Sequence, residues 1–85
     1  MRYQYKEEQH PIRPHETRML VTWPGYGWWC KLGEIVSRPA DQYGPEHYEV
    51  WPAHGLHQDV SRIFDDHAGC VAWLKSLWEE RRARQ

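Results

Sequence analysis

DDHAGCVAWLKSLW, residues 65–78, decides the fold. Cys70, Trp73, Leu74, Leu77 and Trp78 recur at i, i+3, i+4, i+7 and i+8, which is one face of an α-helix. Val71 widens that stripe. Asp65 or Asp66 is placed to cap the helix, whose first residue is then near His67. The polar side carries acid-first pairs, Glu79 with Arg82 and Glu80 with Arg84. A lone amphipathic helix needs a second layer to cover its stripe. The rest of the chain must supply that layer.

Upstream, the period changes from 3.6 to 2. Residues 2–8 alternate, with Tyr3 and Tyr5 on one side and Arg2, Gln4 and Lys6 on the other. Residues 17–23 alternate again and put Met19, Val21 and Trp23 on one face. A strand from Trp28 to Val36 follows the turn residues Pro24-Gly25-Tyr26-Gly27. Within it Ile35 falls out of phase with Trp28, Cys30 and Leu32. A bulge at Gly33 would return Ile35 to the core side. Glu46 to Trp51 reads as another strand, with Tyr48 and Val50 opposite His47, Glu49 and Trp51, and Val60 to Phe64 as a short one. Pro11 and Pro14 remove backbone donors from residues 10–16, which read as an extended connector.

These elements predict a single α+β domain over 1–85. Residues 1–16 form a strand and a Pro-rich connector, 17–64 an antiparallel β-meander, and 65–84 the C-terminal helix. Three to five short strands pack on that one helix as a two-layer sandwich. At this size folding buries roughly 60–70% of the unfolded chain's surface. A deep catalytic cleft has little support in so small a body.

Composition narrows the function further. Six Trp and five Tyr accompany only fourteen Leu, Ile, Val and Phe. The formal net charge is -1, so the shortage of aliphatics does not signal disorder. The rings must build much of the core, and those left outside form a sticky surface. The balanced charge argues against nucleic acid as a main partner, because phosphate binding needs a basic excess. No stretch approaches the ~20 apolar residues of a membrane span. The start MRYQYKEEQH lacks the apolar run of a signal peptide, so no membrane partner and a cytoplasmic location are expected.

Three constellations hold chemically useful residues. His54 with His57 and His67 with Cys70 are pairs spaced as zinc chelators often are. Against zinc, Cys70 sits mid-stripe, where a thiol is more simply a small core residue. Cys30 and Cys70 are too few for a disulfide scaffold and read as free thiols, with a bridge or metal ligation as alternatives. A catalytic pair of Cys30 or Cys70 with a histidine has only residue identity behind it, so no enzyme is expected, and no cofactor beyond a possible zinc. The third constellation is Trp23-Pro24-Gly25-Tyr26-Gly27-Trp28-Trp29. In a strand, Trp28 and Trp29 point to opposite faces. That alternation places Trp29 with Trp51 on the sheet face away from the helix.

The junction Arg62-Ile63-Phe64-Asp65-Asp66-His67-Ala68-Gly69-Cys70-Val71-Ala72-Trp73-Leu74, with the meander before it, resembles small proteins of bacteriophages and mobile elements, the anti-CRISPR group among them. The likeness is one of layout, over residues 17–80. It implies a phage-encoded inhibitor, working in the bacterial cytoplasm, that sterically blocks a multisubunit defence complex through aromatic and charged contacts. Many members of that group are acidic nucleic-acid mimics, and the net charge of -1 departs from that pattern.

The sequence therefore predicts a non-enzymatic protein-interaction module. Trp29, Trp51, Tyr26 and Trp23 are its expected anchors, and Arg18, Lys31 and Glu49 its rim charges. A homodimer that buries the outer sheet face competes with this reading. A zinc-stabilised domain touching nucleic acid, with His54, His57, His67 and Cys70 as ligands, is the alternative from another class.

Overall fold

The computed structural model describes residues 2–53 and 61–83. Five strands form one antiparallel sheet, β1 (Gln4–Gln9), β2 (Glu16–Thr22), β3 (Cys30–Arg38), β4 (His47–Pro52) and β5 (Arg62–Phe64). Their spatial order is their chain order, a plain meander with β1 and β5 at the edges. One helix, α1 (His67–Ala83), follows β5. The fold is thus a small α+β sandwich of sheet on helix. No helix among the described residues is long and apolar enough to cross a membrane.

The core forms where the two periodicities meet. Met19, Val21, Leu32, Ile35 and Val50 project from the sheet onto Cys70 and Leu74 of α1. All seven are almost fully buried. Tyr3, Tyr5, Tyr48, Phe64, Trp73 and Trp78 pack around this cluster as half-buried rings. With so few aliphatics, the periphery of the core is aromatic. Asp66 caps the helix as expected: its Oδ1 accepts a 2.7 Å hydrogen bond from the Gly69 N–H.

Gly33 is the pivot of the sheet. Register slips between Met19 and Leu20, so that Met19 pairs with Gly33 while Leu20 pairs with Lys31. Leu32 is the extra residue of this bulge, and Ile35 regains the core face. A Cβ at Gly33 would lie 2.7 Å from the Trp51 carbonyl oxygen and 2.9 Å from Leu74 Cδ2. The helix therefore rests closest to the sheet where a side chain is missing.

Two expectations need correction, and a third falls partly outside the described residues. Residues 10–15 are a compact reversal rather than an extended connector, because Gln9 pairs with Thr17 and the chain must double back. His10 Nδ1 accepts the N–H groups of Ile12 and Arg13, both at 3.1 Å. The Gln9 side-chain amide donates to the carbonyls of Arg13, Pro14 and Glu16. Side chains thus replace the donors that the prolines lack. Secondly, β3 begins at Cys30 rather than Trp28 and runs on to Arg38, so the loop before it, residues 23–29, is longer than the four residues expected. Gly25, at φ 87°, turns that loop, and its rings stack on each other instead of entering a ladder. Finally, β5 starts at Arg62; the expected start at Val60 lies outside the described residues.

Candidate functional site

Alternation assigns the outer side chains of the sheet. Those opposite the core positions are Lys6 and Glu8 on β1, Arg18 and Leu20 on β2, Lys31, Glu34 and Val36 on β3, Glu49 and Trp51 on β4, and Ile63 on β5. The charges there are paired across and along strands. Lys6 and Arg18 both reach Glu8, at 3.0 and 3.5 Å. The hydrogen bond from Lys6, followed by the charge of Arg18, holds the Glu8 carboxyl below its usual range. Lys31 pairs with Glu34, and Arg38 reaches Glu49 at 3.3 Å. The three expected rim residues, Arg18, Lys31 and Glu49, therefore all lie on one face, each with an opposite charge.

Trp29 and Trp51 share this face but do not meet. Trp29 lies under Lys6, whose Nζ is 4.5 Å from the ring centroid. Trp51 sits opposite Glu34 in the β3–β4 ladder. The Lys31–Glu34 pair occupies the stretch of β3 between them. Neither indole is sunk in the interior: Trp29 is 37% exposed and Trp51 50%.

Trp51 borders a groove of about 720 Å³. Val36 forms its floor, the 12–16 reversal its far wall, and Glu34 and Arg38 its charged flank. Ile12, on the wall, is 84% exposed. Glu16 is buried here, and its carboxylate accepts from Arg13 at 3.2 Å. The Ser37 N–H donates to the His15 carbonyl at 2.8 Å, which fixes the wall to β3. Sequence reasoning missed this wall, because it treated residues 10–16 as a passive link.

Trp23 and Tyr26 lie elsewhere, on the helix side. Tyr26 stacks on Trp23 at 4.0 Å between centroids, Trp23 lies 5.6 Å from Trp78, and Trp78 meets Tyr3 edge-on at 5.8 Å. Arg82 sits over both Trp23 and Trp78. These two expected anchors are therefore the far end of the core. The Tyr26 hydroxyl titrates above its usual range, chiefly through its hydrogen bond with the Cys30 side chain and then through burial. Trp28 is the residue this cluster leaves outside, at 68% exposed. Its Nε1–H donates to the Tyr26 hydroxyl at 2.9 Å. Alternation had no way to single it out, since residues 28 and 29 precede the strand.

The candidate metal ligands divide. His54 and His57 lie outside the described residues. Cys70 is fully buried and its thiol donates to the Asp66 carbonyl at 3.4 Å. Burial, followed by the Asp66 charge, pushes that thiol up to about 11. His67 instead turns to Glu7, Nε2 to Oε2 2.7 Å, and the same carboxylate accepts from the Thr17 hydroxyl. Glu7, Thr17, Tyr48 and His67 help line a smaller cavity of about 250 Å³ near the helix start. Among the described residues no three His, Cys, Asp or Glu side chains are grouped to hold a metal ion. No protein-family model matches the chain, and neither the curated proteins nor the solved structures include a match to it.

Proposed function

We propose that this chain is a non-enzymatic interaction module that presents its outer sheet face to another protein. One observation carries the reading: Trp51 stands half exposed at the edge of a groove that also offers Ile12 and Val36. Tryptophan is the residue most enriched among interface anchors, and a ring beside a concavity is where such anchors work. The surrounding charges are already paired within the chain, so they add little net attraction. Their role is to select a partner whose own charges match the pattern. Trp29, beside Lys6, is a second and separate anchor.

The most specific form of this reading is steric inhibition of a bacterial defence complex, in the manner of the anti-CRISPR group, inside the host cytoplasm. Layout supports that form and nothing finer does. The test is affinity capture from the native host with the tagged chain, beside a Trp29→Ala/Trp51→Ala double variant of unchanged circular dichroism. A partner held by the wild type and lost by the double variant is expected. Equal capture by both would remove this face from the function.

A further inference from the structure

β1 is an edge strand whose free side is half of a regular ladder. The His10 N–H donates to the Glu16 carbonyl at 2.9 Å, so residues 10, 8, 6 and 4 turn their backbone groups to β2. Tyr5, Glu7 and Gln9 therefore turn theirs outward, where the described residues supply no further strand. Gln4–Gln9 pairs with β2 without a register shift and contains neither proline nor glycine. An edge of this kind is a template for another strand. The opposite edge, β5, is only three residues long. The 10–15 reversal folds toward β3, where the Ser37 N–H donates to the His15 carbonyl, and so leaves β1 open.

The charges on β1 say which strand fits. An antiparallel copy of β1, related by a two-fold axis at Glu7, sets Lys6 opposite the partner's Glu8 and Glu8 opposite the partner's Lys6. These pairs fall where the ladder has no hydrogen bonds and side chains come closest. Tyr5, Glu7 and Gln9 of the two copies then exchange about six backbone hydrogen bonds. An axis at Lys6 or at Glu8 instead opposes like charges. An axis at Tyr5 faces Lys6 with Gln4 and needs Arg2, outside β1, to meet Glu8. Lys6 already reaches the Glu8 of its own strand at 3.0 Å, so in the pair each Glu8 lies between two lysines and the signs alternate along the seam. The two Glu7 side chains meet on the helix side, but each carboxylate is drawn back to its own His67 and Thr17. With a net charge of -1, whole copies repel each other little.

We propose that β1 pairs with the β1 of a second copy of this chain. The dimer is one continuous sheet with five strands from each copy. Its axis stands perpendicular to the sheet, so both helices lie on one side and both outer faces on the other. Unlike a dimer through the outer face, this one leaves Trp51 and its groove open on each copy. A single strand pair buries less than a standard interface, so association is weak and depends on concentration.

The experiment is sedimentation velocity of the full chain from about 10 µM to about 1 mM. A shift from monomer to dimer across that range is expected. Lys6→Glu and Glu8→Lys each oppose like charges twice, and each is expected to weaken dimerisation about tenfold or more. Mixed together, the two variants restore both pairs and are expected to form a mixed dimer of about wild-type strength. A synthetic chain methylated on the Glu7 amide keeps every side chain but loses the central donor. It is expected to stay monomeric, with circular dichroism as the check on folding. Trp29→Ala/Trp51→Ala, on the outer face, is expected to dimerise as the wild type does. The proposal is overturned by a monomer at every concentration, by a dimer indifferent to the methyl group, or by mixed variants that associate no better than either alone. It is also overturned by a dimer that only the tryptophan variant dissolves. That last result would assign the outer face to self-association and so reach the proposed function as well, whereas the others leave that function untouched.

Discussion

His67 Nε2 lies 2.7 Å from Glu7 Oε2 and joins the first turn of α1 to an edge strand sixty residues earlier in the chain. Lys75 over Tyr5 and Trp78 against Tyr3 repeat the contact further along the helix. Long side chains thus reach from the helix to β1 and to the residue before it at three levels, as the rises allow: about 16 Å from His67 to Trp78 at 1.5 Å each, and about 13 Å from Glu7 to Tyr3. Both partners of the first contact are partly solvated, so His67→Ala is expected to cost about 0.5–1 kcal/mol. Glu7→Ala also strips the Thr17 hydroxyl of its acceptor and the helix start of an anion, and is expected to cost about 1–2 kcal/mol. Urea unfolding of the two variants checks the order. A Glu7 variant no weaker than the His67 variant would contradict it.

Gly33→Ala is expected to be costly despite its small size. The new Cβ would meet the Trp51 carbonyl at 2.7 Å, and a strand backbone moves only with its ladder. The helix would also be lifted at Leu74. Overpacking of this kind costs about 1–3 kcal/mol. Gly27→Ala, with open space around its Cβ, is the control and is expected to change the urea midpoint little. Equal midpoints for the two variants would mean that helix and sheet are not in close contact at Gly33.

What the sequence made legible was set by periodicity. Five helical positions identified α1, and Ile35 out of phase located the Gly33 bulge, because a bulge is itself a break in period. Non-periodic segments hid the rest. Trp23 was correctly placed with Met19 and Val21, but its partner Trp78 comes from the other end of the chain, and no local pattern encodes that meeting. Trp28, expected on the core side with Cys30 and Leu32, is instead 68% exposed, because alternation was applied to a residue that precedes the strand. The groove wall at 12–16 depends on His10 and Gln9 side chains bonding the backbone, a substitution for strand pairing that polar residues beside prolines make available but do not announce.

Alkaline pH is expected to unfold this protein through two buried groups. Cys70 ionises at about 11 instead of an ordinary thiol's 9.0, and Tyr5, raised by burial and then by Glu79, at about 12 instead of 10.0. Both folded values exceed the unfolded ones, so the folded state holds its protons longer. Stability is then complete below pH 9 and falls as pH rises from 9 to 12. The Tyr5 hydroxyl is also buried without a hydrogen-bond partner among the described residues. Tyr5→Phe removes that orphan, and is expected to stabilise the fold by about 1 kcal/mol at neutral pH and to flatten the fall above pH 10. Urea midpoints from pH 7 to 11.5 measure both effects. A destabilised Tyr5→Phe variant would show that its hydroxyl has a partner after all.

Leu74 and Trp51 test whether the interior and the candidate interface are energetically separate. Leu74 is fully buried against Gly33 and the sheet, and Leu74→Ala is expected to cost about 2–5 kcal/mol. A domain of this length has on the order of 5–10 kcal/mol in all, so that variant approaches the unfolding limit. Trp51 has half its surface in water, and its backbone pairing with Glu34 survives truncation. Trp51→Ala is therefore expected to shift the urea midpoint by less than the equivalent of about 0.5–1 kcal/mol, well short of a buried-ring truncation. If Trp51→Ala instead weakened the fold as much as Leu74→Ala, the ring would be a structural brace of the 12–16 wall. It would then no longer stand ready for a partner, and the case for the outer face would lose its anchor.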